Sequence, residues 1–237
     1  MPNAFRYGRI GEYIMEQLTR KATIILSSYK DIRLLSLCLS HLRKNYEHDR
    51  IVVFSDGDED PACERTALDF GTEFYQNERL HLAKHGGKLW IKILEVFLSN
   101  PSKCLIKIDT DTKCWKRLSI IPDGCCIFGD LRLCLPEKFM HIQGGCKGTT
   151  FEACKRIFES KELEAEWIRH PERYCCVERL FSLKGKGCED RYMDFIYRKL
   201  DITKTIHPEI KSLYTTAPPS NKDLTYAFTH PHKELTW

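Results

Sequence analysis

The ten residues Cys104-Leu-Ile-Lys-Ile-Asp-Thr-Asp-Thr-Lys113 decide how the rest of the chain is read. Cys104 to Ile108 is an apolar, β-branched run that follows the turn cluster Asn100-Pro101-Ser102, a pattern that predicts a short buried strand. The strand stops at Asp109-Thr110-Asp111. Two carboxylates two residues apart at a strand end can converge on one hard divalent cation, Mg²⁺ or Mn²⁺, which takes oxygen ligands and keeps positions for phosphate oxygens. The chain holds two other Asp-x-Asp triplets, Asp56-Gly57-Asp58 and Asp58-Glu59-Asp60. Only the third triplet closes a mid-chain apolar run, and ligands bind at the carboxyl ends of strands in open α/β sheets. The plainer alternative is a solvated turn.

Working back from this stretch, the first half alternates regularly. Residues 21–29 predict a strand buried on both faces and ending in Ser27-Ser28-Tyr29. Asp31 caps a helix with an inner stripe of Leu34, Leu35, Cys38, Leu39 and Leu42. Arg50 to Ser55 is a second strand running into Asp56, Pro61 opens a helix to about Phe70, and Glu73 to Gln76 is a third strand. His85-Gly86-Gly87-Lys88 precedes a helix with Leu89, Ile93, Val96 and Phe97 inward. The order β-α-β-α-β-α-β predicts an α/β fold with a mainly parallel, Rossmann-like sheet covered by helices on both faces. Right-handed crossovers then bring Tyr29, Asp56 and Asp109 to one sheet edge. Residues 9–20 carry a short amphipathic helix ahead of this unit.

Beyond Lys113 the pattern loosens. Strands are expected at 125–128 and 131–135, and a third from Phe139 reaches a glycine-rich turn at Gln143-Gly144-Gly145. Thr149 or Thr150 caps a helix through Ile157 and Phe158, with further helices near 162–169 and 178–183. Glu189-Asp190 opens a helix with Tyr192, Phe195, Ile196 and Leu200 inward, and from Ile206 the chain is loop-rich as far as His230-Pro231-His232. The reading is one domain over 1–237, with a nucleotide half at about 20–115 and an acceptor half at about 116–237.

Composition narrows the classes. A net charge of +4 is mildly basic and fits anionic ligands, but no Lys/Arg stripe interleaved with aromatics marks a nucleic-acid surface. No run approaches the roughly 18 apolar residues of a membrane span, and the N-terminus lacks a signal-like apolar stretch, so the chain is expected to be cytoplasmic. Twelve cysteines without a Cys-x-x-Cys spacing are expected to be free, mostly buried thiols, with Cys38, Cys104 and Cys154 on apolar faces.

The order of these parts resembles the nucleotide-sugar-dependent glycosyltransferases of the GT-A fold. The matching pieces are Ser27-Ser28-Tyr29, the strand ending in Asp56, Gly87-Lys88 at a helix start, Asp109-Thr110-Asp111, Gln143-Gly144-Gly145 and Glu189-Asp190. The resemblance implies a Mn²⁺- or Mg²⁺-dependent transfer from a nucleoside-diphosphate sugar, UDP favoured over GDP, to a hydroxyl of a glycan or glycolipid. In it Asp111 ligates the metal, Asp109 faces the ribose or metal-bound water, and His230 or His232 supplies a further ligand. Ser27, Tyr29, Asp56, Lys88, Asp109 and Thr110 line the donor, with Tyr29 stacking on the base and Lys88 meeting phosphate at a helix start. Gln143, Gly144 and Gly145 lie against the sugars. Glu189 and Asp190 carry the catalytic carboxylates, Asp190 as general base if configuration inverts. A sugar-nucleotidyltransferase and a non-catalytic sugar- or nucleotide-binding module remain the alternatives.

Overall fold

The computed structural model describes residues 22–57, 59–78, 82–134, 139–165, 189–212 and 225–230. The first half alternates as its periodicity requires. β1 (Thr23–Ser28), β2 (Arg50–Asp56), β3 (Glu73–Asn77) and β4 (Cys104–Asp109) are separated by α1 (Ile32–Asn45), α2 (Pro61–Asp69) and α3 (Leu82–Ser99). Each helix start has a local cause. Asp31 accepts a hydrogen bond from the Leu34 N–H, Asp60 accepts one from the Cys63 N–H, and Pro61 sits in the first turn, where its missing N–H costs nothing.

The second half adds β5 (Lys113–Cys114), β6 (Cys126–Cys134), β7 (Phe139–Thr150), α4 (Phe151–Ser160), α5 (Glu162–Ala165), α6 (Glu189–Lys199), β8 (Thr203–Ile206), β9 (Ile210–Ser212) and β10 (Phe228–His230). A seven-stranded, mostly parallel sheet runs β3-β2-β1-β4-β7-β6-β8, and a three-stranded sheet runs β5-β10-β9. β1, β2, β3 and β4 pair in parallel, so their carboxyl ends share one edge; β7 then pairs antiparallel to both β4 and β6.

Alternation along the strands sends side chains into two cores. Ile24, Leu26, Val53, Ile106 and Ile108 meet Leu35, Cys38, Leu39, Leu42, Cys63 and Ala67 from α1 and α2. Ile25, Val52, Phe54 and Leu105 meet Leu89, Trp90, Ile93 and Phe97 of α3 and Met193, Ile196 and Tyr197 of α6 on the other face. Helices therefore cover both faces, as strands buried on both sides demand. The eight described cysteines are free thiols; seven are buried and work as small apolar residues, including Cys38, Cys104 and Cys154. No helix among the described residues is long and apolar enough to cross a membrane.

Five local expectations change. Residues 126–134 form one strand with an irregularity between Gly129 and Leu131 rather than two strands. Gln143-Gly144-Gly145 is no turn: it lies within the 12-residue β7. Thr150 occupies the N-cap position of α4, yet its hydroxyl exchanges hydrogen bonds with Cys126 instead of capping. Finally, α3 starts at Leu82, so Gly87-Lys88 sits inside the helix, and the loop-rich tail contains two short strands. The amphipathic segment 9–20, residues 166–169 and the helix at 178–183 lie outside the described residues.

Candidate metal centre

The centre starts from the end of β4. The Thr112 N–H donates to the Asp109 carbonyl at 3.0 Å, closing a turn over Asp109-Thr110-Asp111-Thr112. The Thr112 hydroxyl donates to the Gly145 carbonyl at 2.9 Å and ties this turn to β7. Both aspartates are thus fixed at the carboxyl edge, with the Asp109 side chain 38% exposed and that of Asp111 20%. Ser27 stands beside Asp109 in the parallel register of β1 and β4.

The third group arrives from 119 residues further along the chain. Two residues after Asp111, β5 pairs antiparallel with β10, and β10 pairs in parallel with β9. The Trp115 indole N–H donates to Thr229 Oγ1 at 2.8 Å and the Trp115 backbone N–H donates to the Ala227 carbonyl at 2.8 Å. These bonds hold β10 so that His230 Nε2 lies 3.0 Å from Asp111 Oδ1 and 3.7 Å from Asp109 Oδ2. Ligand atoms of Asp109, Asp111 and His230 all lie within 4.8 Å of one another.

That spacing fits one ion. Two adjacent ligands of an octahedral ion with bonds of about 2.1 Å stand roughly 3 Å apart. Two carboxylates and one imidazole offer three donors, and oxygens of a ligand or of water would complete the shell of an ion held there.

Room for the imidazole comes from Gly145. A Cβ built there would stand closer than 3.0 Å to His230 Cδ2, Nε2 and Cε1, so the absent side chain is the space the ring occupies. This role stands beside the expected one for Gly145, a bare amide offered to a sugar. Burial of His230 opposes its charged form, but the hydrogen bond and charge of Asp111, helped by Asp109, outweigh it and raise its pKa above 6.5.

Comparison with models of known protein families and with curated proteins finds no match for this chain. Tyr29 leaves β1 at the same edge, 38% exposed, with its ring against Gly57 and the Lys30 ammonium 5.6 Å from the ring centroid. Asp56 ends β2 next to Asn77 of β3, again on that edge. Thr110 lies in the turn between the two aspartates. Lys88 is exposed more than one turn into α3, so the free N–H groups of a helix start are not beside it. Glu189 and Asp190 open α6, which packs against β7 and β8. Their side chains lie outside the described residues, as do those of Asp56 and Gln143 and all of His232; Gly144 is placed only as a position in β7.

Two contributors were not picked out from the sequence. Lys107 is 2% exposed, and its ammonium lies 2.6 Å from Asp109 Oδ1. A lysine inside the apolar run Leu105-Ile106-Lys107-Ile108 was the available signal, since a buried ammonium needs a partner. Trp115 gave no such signal, because its role depends on which strand it meets.

Proposed function

We propose that this chain is a divalent-metal-dependent glycosyltransferase of the GT-A type, moving a sugar from a nucleoside-diphosphate sugar to a hydroxyl of a glycan or glycolipid. The observation that carries this reading is the convergence of Asp109, Asp111 and His230 at the carboxyl edge of the parallel strands. The strand order β3-β2-β1-β4 supports it, because a nucleotide lying along that edge spans from Tyr29 and Asp56 to the aspartates. A divalent ion held there would neutralise charge building on a departing diphosphate, and such electrostatic help is usually the largest catalytic contribution.

The chain's own groups take the remaining tasks. Asp111 and His230 hold the ion, Asp109 turns one oxygen toward it and toward the ribose side, and Tyr29 offers an aromatic face to the base, with uridine favoured. Asp190, supported by Glu189 at the start of α6, takes the proton of the acceptor hydroxyl if configuration inverts. Only Tyr29, Lys30 and Asp31 separate β1 from α1. A connection this short favours transfer of the sugar over transfer of a nucleotidyl group, which calls for a longer glycine-rich, basic phosphate loop at this point.

The test is release of nucleoside diphosphate from UDP- and GDP-sugars with Mn²⁺, with and without glycan acceptors, using Asp111→Ala as control. The expected outcome is metal-dependent release that the variant loses while its melting temperature stays close to that of the parent. No release with any donor would leave a binding module; a large fall in melting temperature would make Asp111 a structural carboxylate.

A further inference from the structure

Tyr29, Lys30 and Asp31 carry the chain from β1 to α1, and the middle residue, Lys30, has φ +54, a left-handed conformation that glycine adopts freely and lysine does not. This turn sets Tyr29 and Lys30 side by side at the carboxyl edge, both exposed. Of the Tyr29 ring, only Cε2 and Cδ2 lie within 4 Å of a Cβ built on Gly57, at 3.0 and 3.1 Å. Gly57 therefore meets the ring at its edge and covers neither face. Gln76 keeps Gly57 in place by donating from its carboxamide to the Gly57 carbonyl. The Lys30 ammonium stands over one face of the ring, 5.6 Å from the centroid.

That ring is the partner Lys30 has among the described residues. The neighbouring Asp31 carboxylate is committed to the Leu34 N–H at the start of α1. An ammonium over an exposed ring is held weakly, whereas an ammonium on a phosphate makes a charge-assisted hydrogen bond. A ligand with both a planar ring and a phosphate can exchange the contact: its ring takes the covered face of Tyr29, and its phosphate takes the ammonium. A ligand with the ring alone must displace the ammonium into water and offers it no new partner.

We propose that Lys30 makes the base site selective for phosphate-bearing ligands: it covers Tyr29 in the empty chain and yields the ring to a nucleotide far more readily than to the corresponding nucleoside. This rests on the reading of a nucleotide along this edge and adds a specificity-determining residue to it. The phosphate that Lys30 meets is the one next to the ribose, because Lys30 directly follows Tyr29 while the metal centre begins one strand away at Asp109. The flexible four-carbon stem of lysine allows the swing. The exchange involves noncovalent contacts alone and needs no metal ion, which sets it apart from the centre at Asp111 and His230.

Calorimetric titration of the full chain with UMP and with uridine, both in EDTA, isolates this contact from the metal centre. The parent should bind UMP at least about ten-fold tighter than uridine. Lys30→Gln and Lys30→Gly should remove that difference by weakening UMP, while binding uridine no worse than the parent; Lys30→Arg should retain it. Glycine suits the left-handed turn, so Lys30→Gly keeps the fold. A lysine serving only the turn would leave the preference for UMP unmoved. The same preference in Lys30→Gln and Lys30→Gly as in the parent overturns the proposal, and so does equal binding of UMP and uridine by the parent. A parent that binds UDP with Mn²⁺ but not UMP in EDTA overturns it as well. No binding of UDP even with Mn²⁺ overturns the nucleotide reading itself, which separates the two failures.

Discussion

Replacing Gly145 with alanine should disable the metal centre while leaving the fold nearly intact. The new methyl would meet three atoms of the His230 ring, and its separation from Cε1 would be 2.5 Å where ordinary contact begins at 3.4 Å. The ring must therefore retreat by close to 1 Å. Because the obstructing atoms belong to the far end of a side chain, the fold can relax by swinging that ring. The overpacking cost should then sit at the low end of the usual range, about 1 kcal/mol, or roughly 2–4 °C in melting temperature for a chain of this size. The metal centre has no comparable latitude. His230 Nε2 stands 3.0 Å from Asp111 Oδ1, and a displacement near 1 Å takes the imidazole out of a shared coordination sphere. Disturbing even the groups that orient a ligand weakens metal binding on the order of 10–100-fold, so a loss at least that large is expected here. Calorimetric titration with Mn²⁺ in the presence of UDP, beside a thermal melt, reads both quantities. A double-mutant cycle sharpens the test: His230→Ala should cost as much alone as together with Gly145→Ala, because both act through one ring. Unchanged Mn²⁺ affinity in Gly145→Ala would refute the assignment of His230 as a ligand.

Three further predictions test the surroundings. The His230 pKa is raised above 6.5, so in the metal-free chain its contribution to stability is present below pH 6.5 and lost as pH rises through the folded value. Mn²⁺ affinity should climb over the same window as the competing proton leaves, and Asp111→Asn should lower the imidazole titration seen by proton NMR, since burial persists without the opposing charge. Burial raises the Glu209 pKa, but Lys116 at 2.7 Å and the Ser119 N–H and O–H outweigh it, leaving the carboxyl below its ordinary 4.5. Its stabilisation is thus present above pH 4.5 and lost as pH falls through the lowered value, and Glu209→Gln should flatten the acid limb of urea-unfolding midpoints measured against pH. Trp115→Phe keeps an aromatic ring but removes the donor to Thr229 Oγ1, whose residue is 2% exposed. A cost of about 1 kcal/mol in chemical unfolding together with weaker Mn²⁺ binding is expected, whereas unaltered metal binding would show that β10 is held without this bond.

How much of this was legible in the linear chain depends on the range of the forces involved. The alternation of strands and helices from Thr23 to Asp109 could be read directly, because apolar periodicity and the caps at Asp31 and Asp60 act over a few residues. The two carboxylates of the centre were equally plain, since one strand end and one four-residue turn present both. His230 could be named only together with His232 as a candidate, for its strand has three residues and carries no periodic signal. Its place follows from pairing with β5 and from the gap at Gly145, a residue whose purpose is invisible until the ring is seen in that space. Lys88 shows the converse error: a glycine pair suggested a helix start, but packing of Leu89, Trp90 and Ile93 against the sheet carries the helix through it. The sequence by itself determined the layered α/β architecture and the acidic strand end, because both arise from contacts close along the chain. Only the tertiary structure brought His230 to those carboxylates, because residues far apart in sequence meet there through the packing of two sheets.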